Sequence, residues 1–288
     1  MSLAMIVLAG WMASASVMAL LWLRQRARGN AGIVDVAWSF GTAALGMWFA
    51  WSADGYGPRR AIVMAMAGVW GLRLGGHLLR RVSRESEDGR YQQLRREWGA
   101  RGQRRLFLFF QVQALWAVLF AAPMLAAAEN ARAPLAWFDF AGVMIWIVAV
   151  AGEAIADRQL ARFRADPANR VAVCRVGLWR YSRHPNYFFE WLHWWAYVLL
   201  AIGSPYWWVP PTGALVMLWF LMKVTGIPPT EAQALRSRGE AYRDYRSYLI
   251  ELLAAMPLID DEHVEAERLI GLVDGIALQA LFDPESWP

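Results

Sequence analysis

The chain has 288 residues, of which 58% are hydrophobic and only 18% are charged, with 18 Trp and a positive mean hydropathy. Soluble globular domains are closer to half apolar and carry about a quarter charged residues, so this composition excludes an ordinary soluble domain and favours a membrane protein. The basic residues lie in short loops between apolar runs, which argues against nucleic-acid binding, and the one cysteine and four scattered histidines exclude an internal disulfide and a metal site.

Long apolar stretches follow one another along most of the chain. A hydrocarbon core about 30 Å thick requires roughly 20 apolar residues in a helix. About seven stretches meet this requirement, which predicts an all-α, polytopic protein of the bacterial inner membrane. These stretches are 3–23, 33–51, 61–79, 106–128, 137–156, 187–202 and 206–226.

The arginines alternate between successive loops. Three follow the first stretch, nine lie within residues 80–105 and seven lie within residues 158–183. The intervening loops carry only Arg59, Arg60 and Arg132. By the positive-inside rule, this asymmetry predicts a periplasmic N-terminus and a cytoplasmic C-terminus.

The segment 177–191 passes from a polar loop into the sixth stretch and reads Gly-Leu-Trp-Arg-Tyr-Ser-Arg-His-Pro-Asn-Tyr-Phe-Phe-Glu-Trp. Pro185 falls where a helix begins, a position at which its missing N–H has little cost. Asn186 and Glu190 are four residues apart and therefore share one helix face. Because a carboxylate one turn inside an apolar helix is costly, Glu190 is a candidate functional residue, with simple pairing to a nearby Arg or His as the alternative.

Polar side chains mark two other predicted helix ends. Glu153 and Asp157 lie four apart at the end of the fifth stretch, and Glu231, Tyr242 and Tyr245 follow the seventh. The three ends converge on one predicted cytoplasmic face. There, arginines would bind phosphates, carboxylates and amides would bind ribose hydroxyls or a carboxamide, and aromatic rings would stack on adenine. Alternatively, most of the arginines only enforce topology and contact lipid headgroups.

Several segments together carry a resemblance to a known family. They are Val-Asp-Val-Ala-Trp at 34–38, Trp-Gly-Leu-Arg-Leu-Gly-Gly-His at 70–77, Glu-Asp-Gly-Arg-Tyr at 87–91, Glu-Ala-Ile-Ala-Asp-Arg-Gln-Leu at 153–160, and the Arg-His-Pro-Asn-Tyr region at 178–191. The chain resembles the bacterial DUF1295 family, whose members are related to the C-terminal domain of steroid 5α-reductases. The wider superfamily includes isoprenylcysteine carboxyl methyltransferases.

The resemblance implies a seven-helix fold that binds NADPH from the cytoplasmic side. It also implies reduction of a carbon–carbon double bond conjugated to a carbonyl in a lipophilic, steroid-like or isoprenoid substrate. The expected partners are that substrate and membrane lipids, with no nucleic acid, and the sequence does not specify an oligomeric state. Phe189 stands where steroid reductases usually have glycine, which could reshape the pocket. Carried over by position, the cofactor-binding residues are Asp157, Arg164, Tyr181, Arg183, Asn186, Glu190, Glu231 and Tyr245.

Such a reduction needs a hydride donor at the β-carbon and an acid at the carbonyl oxygen. The resemblance implies a carboxylate and a tyrosine in the early helices. Asp35 loosely matches the carboxylate and His77 takes the tyrosine's place, so these two are the predicted catalytic residues. Two alternatives stay open, namely that Asp35 pairs with Arg73 or packs helices, and that His77 only meets water. The next candidate for the acid is a tyrosine such as Tyr91, or water.

Two other functions fit parts of the pattern. An S-adenosylmethionine-dependent membrane methyltransferase of the isoprenylcysteine or phospholipid type shares the Arg-His-Pro-x-Tyr segment 183–187, a glutamate near 231 and a closing Tyr-x-x-Tyr. Such enzymes usually have paired glutamates where this chain has Thr230 and Glu231. A non-catalytic lipid- or sterol-binding protein is the other alternative. The carboxylates in the apolar stretches argue against it, because a membrane penalises buried charge.

The predicted organisation is a transmembrane domain over residues 1–250 and an acidic tail over residues 251–288. Residues 260–288 contain eight acidic side chains and one arginine, with apolar positions at a helical period. This pattern predicts an amphipathic helix. The tail is interpreted as a fused or artefactual extension, with cover of the cytoplasmic face as the alternative.

Overall fold

The structure is a computed structural model that describes residues 2–84, 87 and 89–254. The described residues fold into α-helices joined by short turns, as predicted, and the acidic tail beyond residue 254 lies outside them. The helices are α1 (Leu3–Arg28), α2 (Ile33–Ser52), α3 (Gly57–Arg84), α4 (Gly89–Trp98), α5 (Gly102–Ala128), α6 (Trp137–Ala165), α7 (Pro185–Leu200), α8 (Val209–Trp219), α9 (Ile227–Arg238) and α10 (Glu240–Ala254).

Among the described residues, six helical segments are long and apolar enough to cross a membrane. They are α1, α2, α3, α5, α6 and the segment Val209–Arg238, which contains α8 and α9. These segments indicate a multi-pass membrane protein. The sixth predicted stretch, 187–202, forms α7, which has 16 residues and is shorter than the roughly 20 that a crossing requires. The predicted total of about seven crossings therefore stays a prediction, as does the orientation of the termini.

The two ends of α1 are set by local sequence. The Ser2 hydroxyl accepts a hydrogen bond from the backbone N–H of Met5 at 3.3 Å and caps the first turn. Gly29 has a φ of 80°, and its N–H donates to the Gln25 carbonyl at 2.8 Å, which ends the helix. Only a short link then separates α1 from Ile33, where α2 begins. This tight connection places the start of α2 beside the end of α1.

The chain divides into two compact units. Unit 1 comprises Met1–Met144 and Trp194–Gly213, and unit 2 comprises Ile145–His193 and the described residues from Ala214 onward. Within unit 1, α2 and α3 approach closely, because a β-carbon at Gly71 would overlap that of Ala43. Small residues at such crossings allow membrane helices to pack closely.

A buried ion pair joins the first turn of α3 to the first turn of α6 in unit 1. Arg59 and Asp139 are fully buried and meet at 2.6 Å (Nε to Oδ1) and 2.8 Å (Nη2 to Oδ2). Arg59 Nη1 also donates to the carbonyls of Asn130 and Arg132, and the Asn130 amide donates to the carbonyl of Leu200 at 2.9 Å. The topology prediction requires little net positive charge at this end of the helices. Asp139 neutralises the charge of Arg59, so the buried arginine is compatible with that prediction.

Four exposed tryptophans occur at the same end of unit 1 as this ion pair. Trp51 lies at the end of α2, Trp137 at the start of α6, and Trp207 and Trp208 directly before α8. Aromatic side chains are enriched where membrane helices enter the headgroup region. The four rings are therefore placed as expected for a membrane interface.

The seventh predicted stretch, 206–226, is interrupted. α8 ends in a π-helical turn over Phe220–Val224, and the chain then passes through Gly226 into α9. The first turn of α9 contains Pro228, a residue that is tolerated there because a first-turn N–H has no partner within the helix. The break carries the chain into the helix on which Glu231 lies.

Candidate functional site

The turn that leads into α7 in unit 2 buries polar side chains. Ser182, Arg183 and His184 are all buried. The Ser182 hydroxyl accepts a hydrogen bond from the His184 N–H at 3.1 Å, and Pro185 then begins α7. The His184 ring stacks on Tyr187, with ring centroids 5.3 Å apart and planes at 10°. The Arg-His-Pro segment is therefore a fixed turn held by its own side chains.

Glu231 on α9 contacts both this turn and α10. Its Oε1 lies 2.7 Å from Arg183 Nη1 and 3.3 Å from His184 Nε2, and the Tyr242 hydroxyl donates to it at 3.3 Å. The Arg183 side chain is 1% exposed, and a charge so deeply buried requires a partner. The structure thus brings the predicted cofactor residues Arg183 and Glu231 together. They bind each other and join the α7 turn to α9 and α10.

Tyr245 fastens the same turn to α10. Its hydroxyl contacts the carbonyls of Trp179 and Ser182, the latter at 3.0 Å. The Trp179 indole N–H in turn donates to the Ala156 carbonyl on α6 at 2.9 Å. Tyr245, predicted to bind the cofactor, therefore also holds the loop that connects α6 to α7.

Asp157 and Asn186, two further predicted cofactor residues, also lie together. Asn186 Nδ2 is 3.4 Å from Asp157 Oδ1, and both side chains are partly exposed. Glu190 lies one turn further along α7 and is buried, with its Oε1 3.9 Å from His193 Nδ1. Sequence reasoning did not name His193. The signal was a histidine three residues after a glutamate in an apolar helix, a spacing that places both on one face.

Arg164 and Tyr181 are the exposed members of the predicted set. Arg164 lies in the last turn of α6, and Tyr181 follows a 3-10 turn with its side chain 54% exposed.

Cys174 lies in the loop between α6 and α7. Burial raises the pKa of its thiol, and this effect outweighs the opposing effects of the Val176 N–H and the Arg164 charge. The thiol is therefore protonated near neutral pH, as expected of a structural cysteine.

Phe189, the predicted departure from the steroid reductases, packs against α6. A β-carbon at Gly152 would overlap the Phe189 ring, so the two helices are in close contact at this pair. The bulk of Phe189 is therefore accommodated by the absence of a side chain at Gly152.

In unit 1, Asp35 has a tyrosine partner. The Tyr91 hydroxyl donates to Asp35 Oδ1 at 2.6 Å, a short distance typical of a hydrogen bond to a carboxylate. Tyr91 is 3% exposed and lies in an apolar cluster, whereas Asp35 is partly exposed. A phenol beside a carboxylate in such surroundings is suited to hold and deliver a proton. The buried residues that cluster with Tyr91 are Met18, Ala31, Val34, Leu106, Phe110 and Ala114.

The other predicted catalytic residue, His77, lies in the second half of α3 and is partly buried. The sequence analysis named Tyr91 as the candidate acid to consider after His77. In the structure, Tyr91 is the residue whose hydroxyl meets Asp35. The Glu-Asp-Gly-Arg-Tyr segment signalled this tyrosine, but no local pattern could pair it with a residue on α2.

Comparison with known proteins gives the family. Residues 21–249 match the profile of the proteins of unknown function called DUF1295. The chain belongs to the DUF1295 family. The matched range includes Asp35, Tyr91 and Glu231. No curated protein and no solved structure matches the chain.

The exposed residues of unit 2 in this DUF1295 protein include groups that could hold a nucleotide. Arg158, Arg162 and Arg164 are exposed along the end of α6, and guanidinium groups bind phosphates in a bidentate manner. The Asn186 amide and the neighbouring carboxylate can bind ribose hydroxyls or a carboxamide. The exposed ring of Tyr181 can stack on adenine. Unit 2 thus offers groups for ionic, hydrogen-bonding and stacking contacts with a ligand.

Proposed function

We propose that this DUF1295 protein is a membrane-embedded, NADPH-dependent reductase. Its substrate is a lipophilic, steroid-like or isoprenoid molecule with a carbon–carbon double bond conjugated to a carbonyl. The observation that carries the proposal is the hydrogen bond between Tyr91 and Asp35 in unit 1. Reduction of an enone needs an acid at the carbonyl oxygen, and a phenol held inside an apolar cluster can supply it.

The proton chemistry falls to these two residues. NADPH, when bound, supplies a hydride to the β-carbon. Tyr91 gives its proton to the carbonyl oxygen, where negative charge develops, and the resulting enol then takes a proton from water at the α-carbon as its O–H proton returns to Tyr91. A phenol donates one hydrogen bond at a time, so Tyr91 turns from Asp35 to the carbonyl when the substrate binds. Asp35 holds the hydroxyl in place until then.

In this proposal the residues of unit 2 bind the cofactor in two ways. Arg164, Tyr181, Asn186 and Asp157 offer exposed or partly exposed groups to the nucleotide. The remaining residues complete the site and hold the turn that carries it. These are the buried Arg183, Glu190 and Tyr245, together with the partly exposed Glu231.

We further place the protein in the bacterial inner membrane, with this cofactor site on the cytoplasmic side. The arginine-rich loops support that orientation by the positive-inside rule. The four exposed tryptophans lie at the end of unit 1 away from its arginine-rich segment 80–105, and they fit a membrane interface on the periplasmic side.

The second candidate is an S-adenosylmethionine-dependent methyltransferase. The observation in its favour is the ion pair between the buried Arg183 and the partly exposed Glu231, which joins the Arg-His-Pro-x-Tyr segment to the later glutamate of that pattern. Methyl transfer to a carboxylate or phospholipid has no need of a proton donor. The Tyr91–Asp35 hydrogen bond would then have no role in the chemistry.

Ligand titration and turnover separate these functions. The purified full-length protein in detergent is titrated with NADPH and with S-adenosylmethionine, and NADPH oxidation is followed with a panel of steroid and isoprenoid enones. The proposal predicts NADPH binding and enone-dependent oxidation. Binding of S-adenosylmethionine alone would favour the methyltransferase, and lipid binding with neither cofactor would favour a non-catalytic lipid-binding protein.

A further inference from the structure

The short helix α4 carries Tyr91 and is anchored to the start of α2 at two points. Glu87, just before α4, accepts a hydrogen bond from the Ala31 N–H at 2.7 Å through Oε1. The Tyr91 hydroxyl donates to Asp35 at 2.6 Å. Glu87 and Tyr91 are four residues apart, and so are Ala31 and Asp35. The two hydrogen bonds therefore join the segment at the start of α4 to the segment at the start of α2 with the same spacing in sequence.

Arg95 on α4 ties Glu87 to the end of α1. Its Nη2 lies 3.1 Å from Glu87 Oε1, and its Nε lies 3.2 Å from both carboxylate oxygens. The same Nη2 donates to the Gly29 carbonyl at 2.9 Å. With the Gln25 amide oriented to accept, its oxygen lies 2.7 Å from Nη2 and 3.2 Å from Nη1. Arg95 thus connects Glu87 with the residues that end α1.

Apolar residues surround the Tyr91 ring, and Phe109 makes an edge-to-face contact with it at 6.1 Å between ring centroids. Apolar packing favours burial of the ring more than one position of its hydroxyl. Hydrogen bonds to a carboxylate and to a guanidinium have a preferred geometry. The polar contacts of Glu87 and Arg95 are therefore suited to set the position of α4 along α2.

We propose that Glu87 and Arg95 are positioning residues that set the Tyr91 hydroxyl against Asp35. The catalytic consequence of this pairing rests on the proposed reductase function, whereas the placement of the hydroxyl does not. The Glu87 and Arg95 side chains are 12% and 26% exposed. Ion pairs that water reaches contribute little to overall stability, so their loss shifts α4 locally while the rest of the chain stays folded.

The first test reads the Tyr91 hydroxyl directly. The full-length protein in detergent carries 3-fluorotyrosine at position 91, and its fluorine NMR resonance is compared with that of an Asp35→Ala reference. Arg95→Ala and Glu87→Ala are expected to move the resonance toward the reference. Arg96→Ala, an exposed neighbour on α4, should leave it in place. An unchanged resonance in both Arg95→Ala and Glu87→Ala would overturn the proposal.

Conservative variants keep the test valid if an alanine variant does not fold. Glu87→Gln keeps an oxygen for the Ala31 N–H but loses the charge that Arg95 binds, so its resonance should lie between wild type and Glu87→Ala. Arg95→Lys keeps the charge but loses the fork of donors that reaches both Glu87 and Gly29, and it should also give an intermediate shift. Wild-type resonances in both variants would contradict the proposal.

Turnover provides the second readout. Displacement of a catalytic group by about 1 Å can cost roughly a hundredfold in rate, so kcat should fall roughly ten- to a hundredfold in Arg95→Ala while the Kd of NADPH stays unchanged. Part of the rate should return in Arg95→Lys. If Tyr91→Phe itself leaves turnover unaltered, the proposed acid is wrong, and the fluorine resonance still decides whether Glu87 and Arg95 place the hydroxyl.

Discussion

The Tyr91 hydroxyl and the Asp35 carboxylate meet at 2.6 Å, although the two residues are 56 positions apart in the chain. Asp35 is in the first turn of α2, and Tyr91 is on a short helix in the arginine-rich segment between α3 and α5. The arginine-rich segment between α3 and α5 therefore contributes a buried aromatic residue, Tyr91, that contacts a membrane-length helix of unit 1. This contact gives the early helices the carboxylate–tyrosine pair that reduction of an enone would use.

We expect Asn186→Ala to weaken NADPH binding by roughly ten- to a hundredfold, since the loss of a hydrogen bond to a charged or polar ligand costs about 1.5–3 kcal/mol. Isothermal titration of the purified protein measures the change. Asn169→Ala is the matched control, because Asn169 also lies in unit 2 but its amide donates to the Phe163 carbonyl. Unchanged NADPH affinity in Asn186→Ala, together with measurable S-adenosylmethionine binding, would support the methyltransferase.

A double-mutant cycle tests the interaction of Arg183 with Glu231. Glu231→Ala leaves Arg183 buried without this carboxylate, so we expect the free energy of unfolding to fall by about 3–5 kcal/mol. The double variant Glu231→Ala, Arg183→Ala should lose much less than the sum of the two single changes, because the charge that Glu231 contacts is then removed as well. Arg236→Ala, at an exposed position on α9, serves as the control. Strictly additive losses would contradict the role of Glu231 as partner of Arg183.

Much of the fold was predictable because its signal is local. Continuous apolar stretches predicted the six membrane-length segments, and Pro185 predicted the start of α7. The break between α8 and α9 was not predicted, since the apolar pattern continues through the π turn at Phe220–Val224. Helix α4 was also missed, because its buried tyrosine is surrounded by arginines that indicate a polar loop.

The sequence predicted which residues belong to the candidate site, but not which of them contact one another. The identities of Arg183, Glu231 and Tyr245 followed from the motifs, whereas their contacts join positions up to 66 residues apart. Sequence reasoning took all three as ligands for a cofactor. The structure gives them partners within the protein, because a side chain buried beside a turn must satisfy the polar groups of that turn.

The thiol of Cys174 should react slowly with maleimide near neutral pH. Burial raises its pKa, and the thiolate is the reactive form, so the labelling rate should increase with pH without reaching a plateau in the range where an ordinary thiol is fully ionised. The sequence has a single cysteine, so mass spectrometry of the intact protein reports this residue alone. Protein unfolded in a strong detergent is the control and should label quickly. Rapid labelling of the native protein with a plateau below the usual thiol pKa would contradict the assignment of a buried, structural cysteine.

The proposed orientation predicts the behaviour of reporter fusions. An alkaline phosphatase domain, which is active only in the periplasm, should be inactive when fused after Arg105 or Arg183 and active after Gly55 or Ser204. The reason is that the two arginine-rich segments stay on the cytoplasmic side. A fluorescent protein that folds only in the cytoplasm should give the opposite pattern at the same four sites. Reversal of both patterns would place the proposed cofactor site on the wrong side of the membrane for NADPH.

The role of Tyr91 as the acid is tested by NADPH oxidation in the full-length protein with a lipophilic enone. Tyr91→Phe removes only the hydroxyl, so the rate should fall by about a hundredfold or more while the Kd of NADPH is unchanged. Asp35→Asn should give a smaller loss, because an amide oxygen still accepts from Tyr91. His77→Ala should retain most of the rate and serves as the comparison, since His77 is the acid that the sequence favoured. A wild-type rate in Tyr91→Phe, with the rate lost in His77→Ala, would contradict this account and return the role of acid to His77.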